Sequence, residues 1–372
     1  MVFDFVVVGA GMAGLSAAAS LAAHGKVCVL EQEEQPAYHS TGRSAALFTL
    51  AYGSSAIRAL ARCSRPVFDD PPDGFGDQPL LTPRTLLMVS TADKHRFHVD
   101  GLEATRAAGG DVHEIPTDEA LRLLPVLREE AAVHAFVCVD TFDIDVHGLQ
   151  TGFLRQLRAR GGTLETDAGV VGLVRKDGVW EAETRAGTYR APVIVNAAGA
   201  WADSVAELAG ARPLGLVPKR RTAILFDGAD GDIAGWLMAV ASDEAWYFKP
   251  DAGKILASPA DETPSPPCDA QPEDIDVAVC VDRIETATRL KVNRISHKWA
   301  GLRTFSADRN PVCGFDPELQ GFFWLAGQGG YGIKTAPGLA AITESLVTEM
   351  EAPEAFIQAG IATADLSPGR LI

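Results

Sequence analysis

Three glycines near the N-terminus have a spacing that can bring main chain close to a phosphate. Gly9, Gly11 and Gly14 occur in the segment GAGMAG, which has the GxGxxG spacing. In such a motif the first glycine permits a tight turn, the second lets a pyrophosphate approach the backbone, and the third allows close packing of a helix on a strand. Glu31 follows in the chain, at a place where a carboxylate can accept hydrogen bonds from ribose hydroxyls. Together these residues predict a dinucleotide site.

The pattern around the glycines predicts the βαβ unit that would position them. An apolar strand is expected at 4–8, an alanine-rich helix at 15–23 ending near Gly25, and a second strand, KVCVL, ending on Glu31. The N-terminus of the helix would face the phosphates. A glycine turn in an unrelated α/β unit is the alternative. The carboxylate disfavours the 2′-phosphate of NADP, but it does not separate NAD from FAD.

The remaining pattern predicts two interleaved domains. Asp177-Gly178 indicates a hairpin turn between two strands. Further strands are expected at 84–90, 192–196, 216–226, 245–258, 291–303 and 322–326, and helices at 54–69, 93–108, 117–127, 148–160 and 275–290, with a surface loop at 261–274. We assign the dinucleotide domain to 1–83, 140–215 and 304–372, and a substrate domain to 84–139 and 216–303.

Composition excludes several classes of protein. The 372 residues carry 33 Lys and Arg against 49 Asp and Glu, a formal net charge of −16, which disfavours attraction to nucleic acid or anionic lipid. The six cysteines have neither CxxC nor Cys/His ligand spacing, so neither a metal site nor a disulfide framework is expected. The N-terminal apolar run is too short and too acidic for a signal peptide, and no apolar segment is long enough for a membrane span. A cytoplasmic protein is expected.

Seven segments together resemble the D-amino-acid-oxidase-like family of FAD enzymes, and within it the D-arginine dehydrogenases most. These are VVVGAGMAGLSAA, YHSTGRSAA, VNAAGAW, RPLGLVPKRR, YFKPDAG, WAGLRTF and GFFWLAGQGGYGIKT. The resemblance implies FAD rather than NAD. It also implies an α/β plus α+β fold, in which a glutathione-reductase-like (Rossmann-type) FAD-binding domain is interleaved with an antiparallel-sheet substrate domain.

The activity that the resemblance implies is oxidative deamination of a D-amino acid. Hydride passes from Cα to flavin N5, the imino acid is hydrolysed to a 2-oxo acid and ammonia, and a quinone or oxygen reoxidises the flavin. The implied cofactor site adds Lys334 as a countercharge at the N1/C2 end of the flavin. Its other residues, besides the glycines and Glu31, are Met12, Ala13, Gln32, Thr41, Gly42, Arg43, Ser44, Ala45, Val170, Val171, Ala198, Gly199, Gly329, Gly330, Tyr331, Gly332, Ile333 and Thr335.

An amino acid also needs a group that holds its carboxylate, and the planar fork of a guanidinium can bind both oxygens. Side chains alternate along a strand, so only one of Arg220 and Arg221 can face a cavity. The resemblance selects Arg221 and adds Arg303. It also implies that the phenols of Tyr52 and Tyr247 face the substrate and that the Gly330 carbonyl accepts from the substrate amine.

Two positions depart from the D-arginine dehydrogenases. The His that follows the STGRSAA motif and the Glu that pairs with the substrate guanidinium are here Leu47 and Leu86. Without the carboxylate, a buried substrate cation would be unpaired, which is costly. We therefore expect an apolar side chain on the substrate, in contact with Leu47, Leu86, Met238 and Ile333.

Other functions remain open at the level of sequence. A secondary-amine, glycine or sarcosine oxidase on the same fold is one alternative, and the lysine at 334 favours it slightly. A second is a protein that binds FAD without turning over amino acids, and a third is an NAD-dependent dehydrogenase. His39 and His147 lie near cofactor-like motifs, but hydride transfer needs no obligatory base, so neither is given a catalytic role.

Overall fold

A largely parallel sheet surrounds the N-terminal strand. The computed structural model describes residues 1–228 and 231–372. The strands of this first sheet run parallel except at one edge, where Val312–Phe315 pairs antiparallel with Phe322–Ala326. Their order is Val312–Phe315, Phe322–Ala326, Val193–Asn196, Phe5–Val8, Val27–Leu30 and Thr163–Glu165. Its central strands are buried along their length, as the continuous apolar runs predict.

Helices cover one face of this sheet. Met12–Leu21 packs on Gly332–Val347 and on Val146–Ala159, and Ser55–Asp69 packs on Gly332–Val347. The first of these helices begins at Met12, before the predicted start, because Gly11 in extended conformation already forms its N-cap. Asp145 caps Val146–Ala159 by accepting from the backbone N–H of Gly148 at 2.8 Å. These helices and the sheet share one apolar core.

A second sheet is mostly antiparallel. Met238–Ala241 is the exception, since it runs parallel to Leu86–Ser90. The order is Thr263–Pro264, Val217–Phe226, Lys254–Ser258, Tyr247–Asp251, Met238–Ala241, Leu86–Ser90, His134–Cys138 and Val112–Ile115, with Ile295–Phe305 paired to Val217–Phe226. The helices beside it are His95–Ala107, Thr117–Leu123 and Asp274–Ala287. The last two end earlier than predicted, and the short strand Thr263–Pro264 lies within the predicted surface loop.

Smaller elements complete the fold. The predicted hairpin is confirmed, and its turn residues Asp177 and Gly178 both have positive φ, at 51° and 84°. That hairpin belongs to a sheet of Val170–Lys176, Val179–Thr184 and Gly187–Ala191, and another sheet consists of Leu47–Phe48, Phe142–Ile144 and Leu81–Pro83. The remaining α-helices are Ala202–Ala209 and Glu354–Gln358, and 3₁₀ turns lie at Ala92–Lys94, Glu129–Ala131, Gly199–Trp201, Thr363–Asp365 and Pro368–Leu371.

This architecture confirms the predicted combination of an α/β unit with an α+β unit. The proposed domain boundaries remain a prediction, and the strand Ile295–Phe305 runs across the one drawn between 303 and 304. Within the described part of the chain, no helix is both long and apolar enough to cross a bilayer.

Candidate active site

A cavity of about 300 Å³ lies between the two main sheets. Both sheets contribute to its walls, and so does the loop that follows the second strand of the first sheet. The predicted site residues that line it are Gly9, Gly11, Met12, Ala13, Glu31, Gln32, Thr41, Arg43, Ser44, Ala45, Val170, Ala198, Gly199, Arg221, Tyr247, Arg303, Gly329, Gly330, Gly332 and Ile333. The structure therefore brings most of the predicted cofactor residues to one space. It also brings there four of the side chains predicted to contact the substrate, those of Arg221, Tyr247, Arg303 and Ile333.

The N-terminal glycines form a cradle that other residues could not. Gly9 has φ +100°, and a Cβ there would lie 2.7 Å from the Ala197 carbonyl oxygen. A Cβ on Gly14 would lie 1.8 Å from the Gly9 carbonyl oxygen, so this position requires glycine for helix packing. At Gly11 the nearest atom to an added Cβ is Thr41 Oγ1, 3.5 Å away. Gly11 thus leaves room above the start of the helix, where a phosphate can approach backbone N–H groups.

Glu31 is held at the edge of this cradle by two backbone donors. Its Oε2 accepts from the Ala10 N–H at 2.7 Å and its Oε1 from the Glu33 N–H at 3.1 Å. Burial raises the pKa of Glu31, while these hydrogen bonds act in the opposite direction. The carboxylate is therefore fixed where the βαβ pattern predicts contact with a ribose.

Two aromatic residues outside the predicted site, His39 and Trp201, also line the cavity. His39 Nε2 lies 2.8 Å from Glu33 Oε1, and the His39 ring lies 4.7 Å from the ring of Trp201 between centroids. The two rings meet because the loop after the second strand folds back against the turn Gly199–Trp201, a contact that the sequence does not indicate. The proximity of His39 to a glycine-rich motif was the available signal.

A further observation indicates that the lining can hold a bound group such as FAD. Gln328 lines the cavity, and its buried Nε2 has no hydrogen-bond partner among the described residues. An unpaired buried donor is costly, so this amide is available to an acceptor on a group bound in the cavity. Gly329 has φ +56°, and a Cβ there would lie 2.4 Å from Phe305 Cε1, so this turn beside the cavity requires glycine.

Some of the predicted cofactor residues do not line the cavity. Arg43 does, but its guanidinium pairs with Asp269 and donates to the carbonyls of Ala270 and Ala300 at 2.8 and 2.9 Å. It therefore fastens the loop to the second sheet, and the role of its side chain toward the cofactor stays a prediction. The residues outside the lining are Gly14, Gly42, Val171, Tyr331, Lys334 and Thr335.

The two neighbouring arginines on Val217–Phe226 point to opposite faces, as predicted from strand geometry. Arg220 is buried among acidic side chains, where its guanidinium pairs with Asp276 at 2.8 Å and with Glu273 at 2.5 Å. Arg221 lines the cavity, where its Nε donates to the Asp261 carbonyl at 2.9 Å. Burial, together with the positive charge of Arg303, lowers the pKa of Arg221.

Arg303 reaches the cavity from the adjacent strand. In the antiparallel register Arg221 lies opposite Gly301, so Arg303 is its diagonal neighbour on the same face. Arg303 forms no ion pair or side-chain hydrogen bond with the described residues 1–228 and 231–372, whereas Arg221 also lies 3.5 Å from Glu262 Oε1. Two guanidiniums thus share one cavity, and one of them has its full set of donors free for an anion.

The two predicted phenols occupy different positions. Tyr247 lines the cavity, while Trp246 and Phe248 point to the opposite face of the strand and stack in an apolar core. Tyr52 does not belong to the lining and packs, with Tyr247, against an apolar cluster. Burial raises the pKa of Tyr52, so this phenol stays protonated as a donor.

The predicted apolar substrate pocket is closed in this structure. Leu47, Leu86 and Met238 lie within that apolar cluster, and Leu86 is 0% exposed. None of the three lines the cavity, whereas Ile333 does. Leu86 and Met238 pair side by side on parallel strands, which packs them together and closes the space predicted between them.

Lys334 contacts the main chain of a distant segment, and its role as a countercharge at the flavin stays a prediction. Its ammonium donates to the backbone carbonyls of Thr49 and Tyr52, and its side chain does not reach the cavity lining. It is buried at the first turn of its helix, with its Nζ 5.3 Å from the centroid of the Tyr331 ring.

Residues 4–346 match the family of FAD dependent oxidoreductases, DAO, and the chain belongs to this family. Its cofactor is FAD, as predicted. The hydrogen cyanide synthase subunit HcnC of Pseudomonas aeruginosa is 26% identical over 240 residues, covering 63% of this chain and 56% of that protein. Mitochondrial dimethylglycine dehydrogenase of Rattus norvegicus is 26% identical over 211 residues, covering 56% of this chain and 24% of that protein.

The chain thus spans less than two thirds of either relative. Among solved structures, glycine oxidase from Geobacillus kaustophilus superimposes with a TM-score of 0.85 at 21% identity, over 100% of this chain and 99% of that one. This likeness shows the fold. The family is confirmed, and the finer expectation of a special likeness to D-arginine dehydrogenases gains no support from these relatives.

Proposed function

We propose that this protein oxidises a small amine that carries a carboxylate, of the glycine or N-methylated glycine type. The observation that carries the proposal is the Arg303 guanidinium, which shares the cavity with Arg221 and has no partner of its own among the described residues. A fork of free N–H donors matches a carboxylate in charge and in geometry. A substrate without a carboxylate would leave this charge unpaired.

In this proposal the side chains hold the substrate and orient its Cα. Arg303 and Arg221 bind the carboxylate, the Tyr247 hydroxyl donates to it, and the Gly330 carbonyl accepts from the amine. FAD, when bound, supplies the hydride acceptor. The substrate loses a hydride from Cα and a proton from nitrogen, and water hydrolyses the resulting imine to an oxo acid and an amine or ammonia. The protein's part is orientation of the substrate and exclusion of water.

The closed apolar cluster supports a small substrate. Leu86 and Met238 are packed against each other, and the cavity beside Tyr247 has no side pocket formed by them. A large side chain at Cα would therefore have to displace packed core, which costs free energy. The names of similar proteins, glycine oxidase and dimethylglycine dehydrogenase, point in the same direction.

A D-amino acid with an apolar side chain is the second candidate. Tyr247 contacts both the cavity and the apolar cluster of Leu47, Leu86 and Met238, so an opening at this phenol would expose an apolar surface to the substrate. Such a surface would suit an aliphatic side chain and would leave a cationic one unpaired.

Anaerobic mixing of the FAD-loaded protein with an amine panel tests the proposal. The panel comprises glycine, sarcosine, N,N-dimethylglycine, and both enantiomers of alanine, leucine and arginine. We expect flavin absorbance to be lost fastest with a glycine-type amine. If the second candidate is correct, it is lost fastest with D-leucine. Bleaching by none of the amines, or preference for arginine, would contradict both.

An arginine variant tests the observation itself. Arg303→Met should lower kcat/KM by about a hundredfold, because a charge-assisted pair is lost. Arg294→Met, at an exposed position on the loop before the same strand, should change kcat/KM by less than about twofold. Oxygen and a soluble quinone, supplied separately, identify the electron acceptor.

A further inference from the structure

Lys334 joins the first turn of one helix to a segment far away in the chain. Its side chain is buried, and its Nζ donates to the Thr49 carbonyl at 2.8 Å and to the Tyr52 carbonyl at 3.2 Å. The Thr49 contact spans 285 residues of sequence. One ammonium therefore satisfies two backbone acceptors of the same short segment.

The surroundings of this ammonium are aromatic. Its Nζ lies 4.6 Å from the centroid of the Tyr52 ring and 5.3 Å from that of Tyr331, and no carboxylate of the described residues forms an ion pair with it. Carbonyl oxygens and aromatic faces are suited to hold a cation. Burial makes the largest contribution and lowers the pKa of Lys334 to about 7. The charge of Arg58 also disfavours the ammonium, whereas that of Glu244 favours it.

A second cation holds the same segment. Arg58, on the helix Ser55–Asp69, donates to the Ala51 carbonyl at 3.4 Å and to the Ala104 carbonyl at 2.8 Å, and Thr105 Oγ1 also donates to Ala51. The acceptors of the segment 49–52 are thus bound by side chains from three different helices. The segment has few backbone partners of its own, so its conformation depends on these side chains.

The segment matters because of what it carries. Tyr52 packs with Tyr247 against the apolar cluster, and Tyr247 lines the substrate end of the cavity. Leu47, on the short strand that precedes the segment, belongs to that cluster. A displaced 49–52 segment would therefore open the closed end of the cavity.

We infer that Lys334 is a positioning residue, whose ammonium fastens the segment 49–52 and so keeps Tyr52 against the substrate end of the cavity. The effect of Lys334 on substrate binding rests on the proposed function, whereas its hydrogen bonds to the segment 49–52 do not depend on that function. Lys334→Met removes charge and donors at similar length, and Lys334→Arg retains both. Thr343→Val, a buried change on the same helix whose hydroxyl donates to the Leu339 carbonyl, is the matched control.

Hydrogen exchange of the FAD-loaded protein tests the fastening. Exchange of the backbone amides at 49–54 should become at least about tenfold faster in Lys334→Met, with the control unchanged and Lys334→Arg closer to the wild type. KM should rise about tenfold in Lys334→Met with kcat within about threefold, because the contact orients the ground state and does not react. FAD content should stay the same.

Unchanged exchange and unchanged KM in Lys334→Met would overturn the inference. If that variant does not fold, Lys334→Gln, which is shorter and uncharged, is measured in its place, and the same two results decide. If the wild type turns over no amine at all, the proposed function fails, while the exchange measurement still decides whether Lys334 fastens the segment.

Discussion

Arg303 and Gly330 are in direct contact in the lining of the cavity. A Cβ built on Gly330 would lie 2.7 Å from Arg303 Nη1 and 3.0 Å from its Cζ. The absence of a side chain at 330 therefore lets the guanidinium lie flat against the glycine-rich main chain. This contact joins the end of the strand Ile295–Phe305 to the turn that precedes the helix Gly332–Val347.

Gly330→Ala should weaken substrate binding without unfolding the protein. The clash falls on the end of a flexible side chain, so Arg303 can turn away at little cost in stability. We expect KM to rise by about tenfold or more, since the carboxylate-binding geometry is lost. Steady-state kinetics and thermal unfolding measure the two effects. Gly235→Ala, where an added Cβ meets nothing within 4 Å, is the control; an unchanged KM in Gly330→Ala would show that Arg303 does not bind the substrate.

Two glycines of the N-terminal motif should respond differently to alanine. At Gly11 the added Cβ has its nearest neighbour at 3.5 Å, so the fold should persist while the methyl group obstructs the phosphates. At Gly14 the Cβ would lie 1.8 Å from the Gly9 carbonyl oxygen, so folding and FAD binding should both fail. Flavin content and circular dichroism of both variants test this. Equal flavin content in Gly11→Ala and wild type would contradict the role of Gly11.

Leu86→Glu should destabilise the protein and should not create activity on basic amino acids. Leu86 is 0% exposed and surrounded by apolar side chains, so a carboxylate there would be buried without a partner. The free energy of unfolding should fall by about 3 kcal/mol or more. Urea unfolding compares it with Leu123→Glu, at a position that is 42% exposed and should lose little. A stable Leu86→Glu that oxidises D-arginine would mean that this cluster opens to the cavity.

The pH dependence of KM should contain a contribution from Lys334. Below its pKa of about 7 the ammonium binds both carbonyls with full charge, and above it the neutral amine binds them more weakly. Between pH 6 and 8.5 the ratio of KM in Lys334→Met to KM in the wild type should therefore fall severalfold. Because the ratio cancels titration of the substrate amine, a constant ratio would contradict this assignment.

The lowered pKa of Lys334 also affects the free energy of unfolding, which should rise with pH while substrate binding weakens. The unfolded chain keeps the Lys334 proton up to the ordinary pKa of lysine, whereas the folded chain loses it near 7. Above pH 7 the unfolded state therefore binds more protons, and stability rises with pH until the ordinary lysine pKa is reached. Urea unfolding at pH 6 and 8.5 should show this gain in the wild type and not in Lys334→Met. Parallel changes in the two proteins would contradict it.

The parts of the fold that could be predicted depend on short stretches of sequence. The turn at Gly9, the hairpin at Asp177 and Gly178, and the opposite directions of Arg220 and Arg221 all follow from local geometry. Strands with few distinctive residues were missed, among them Val112–Ile115, His134–Cys138 and Met238–Ala241. Their pairing within a sheet, and not a local pattern, defines them.

The parts of the site that could not be predicted depend on contacts between distant segments. A leucine at 86 could line a pocket or close it, and the choice depends on Met238, its neighbour on a parallel strand. A lysine at 334 next to glycines could line the cavity, but the carbonyls of Thr49 and Tyr52 hold its ammonium outside the lining. Motif resemblance carries residue types from one protein to another, and it does not carry the contacts that orient them.

The order of strands in the first sheet has a consequence for synthesis on the ribosome. Phe5–Val8, which leads into the glycine cradle, pairs with Val193–Asn196, which in turn pairs with Phe322–Ala326. At bacterial or eukaryotic translation rates of about 5–20 residues per second, the first strand leaves the ribosome roughly 15–60 s before the last of these. During that interval the nascent N-terminal unit exposes an apolar strand edge, which stays unpaired until Phe322–Ala326 emerges.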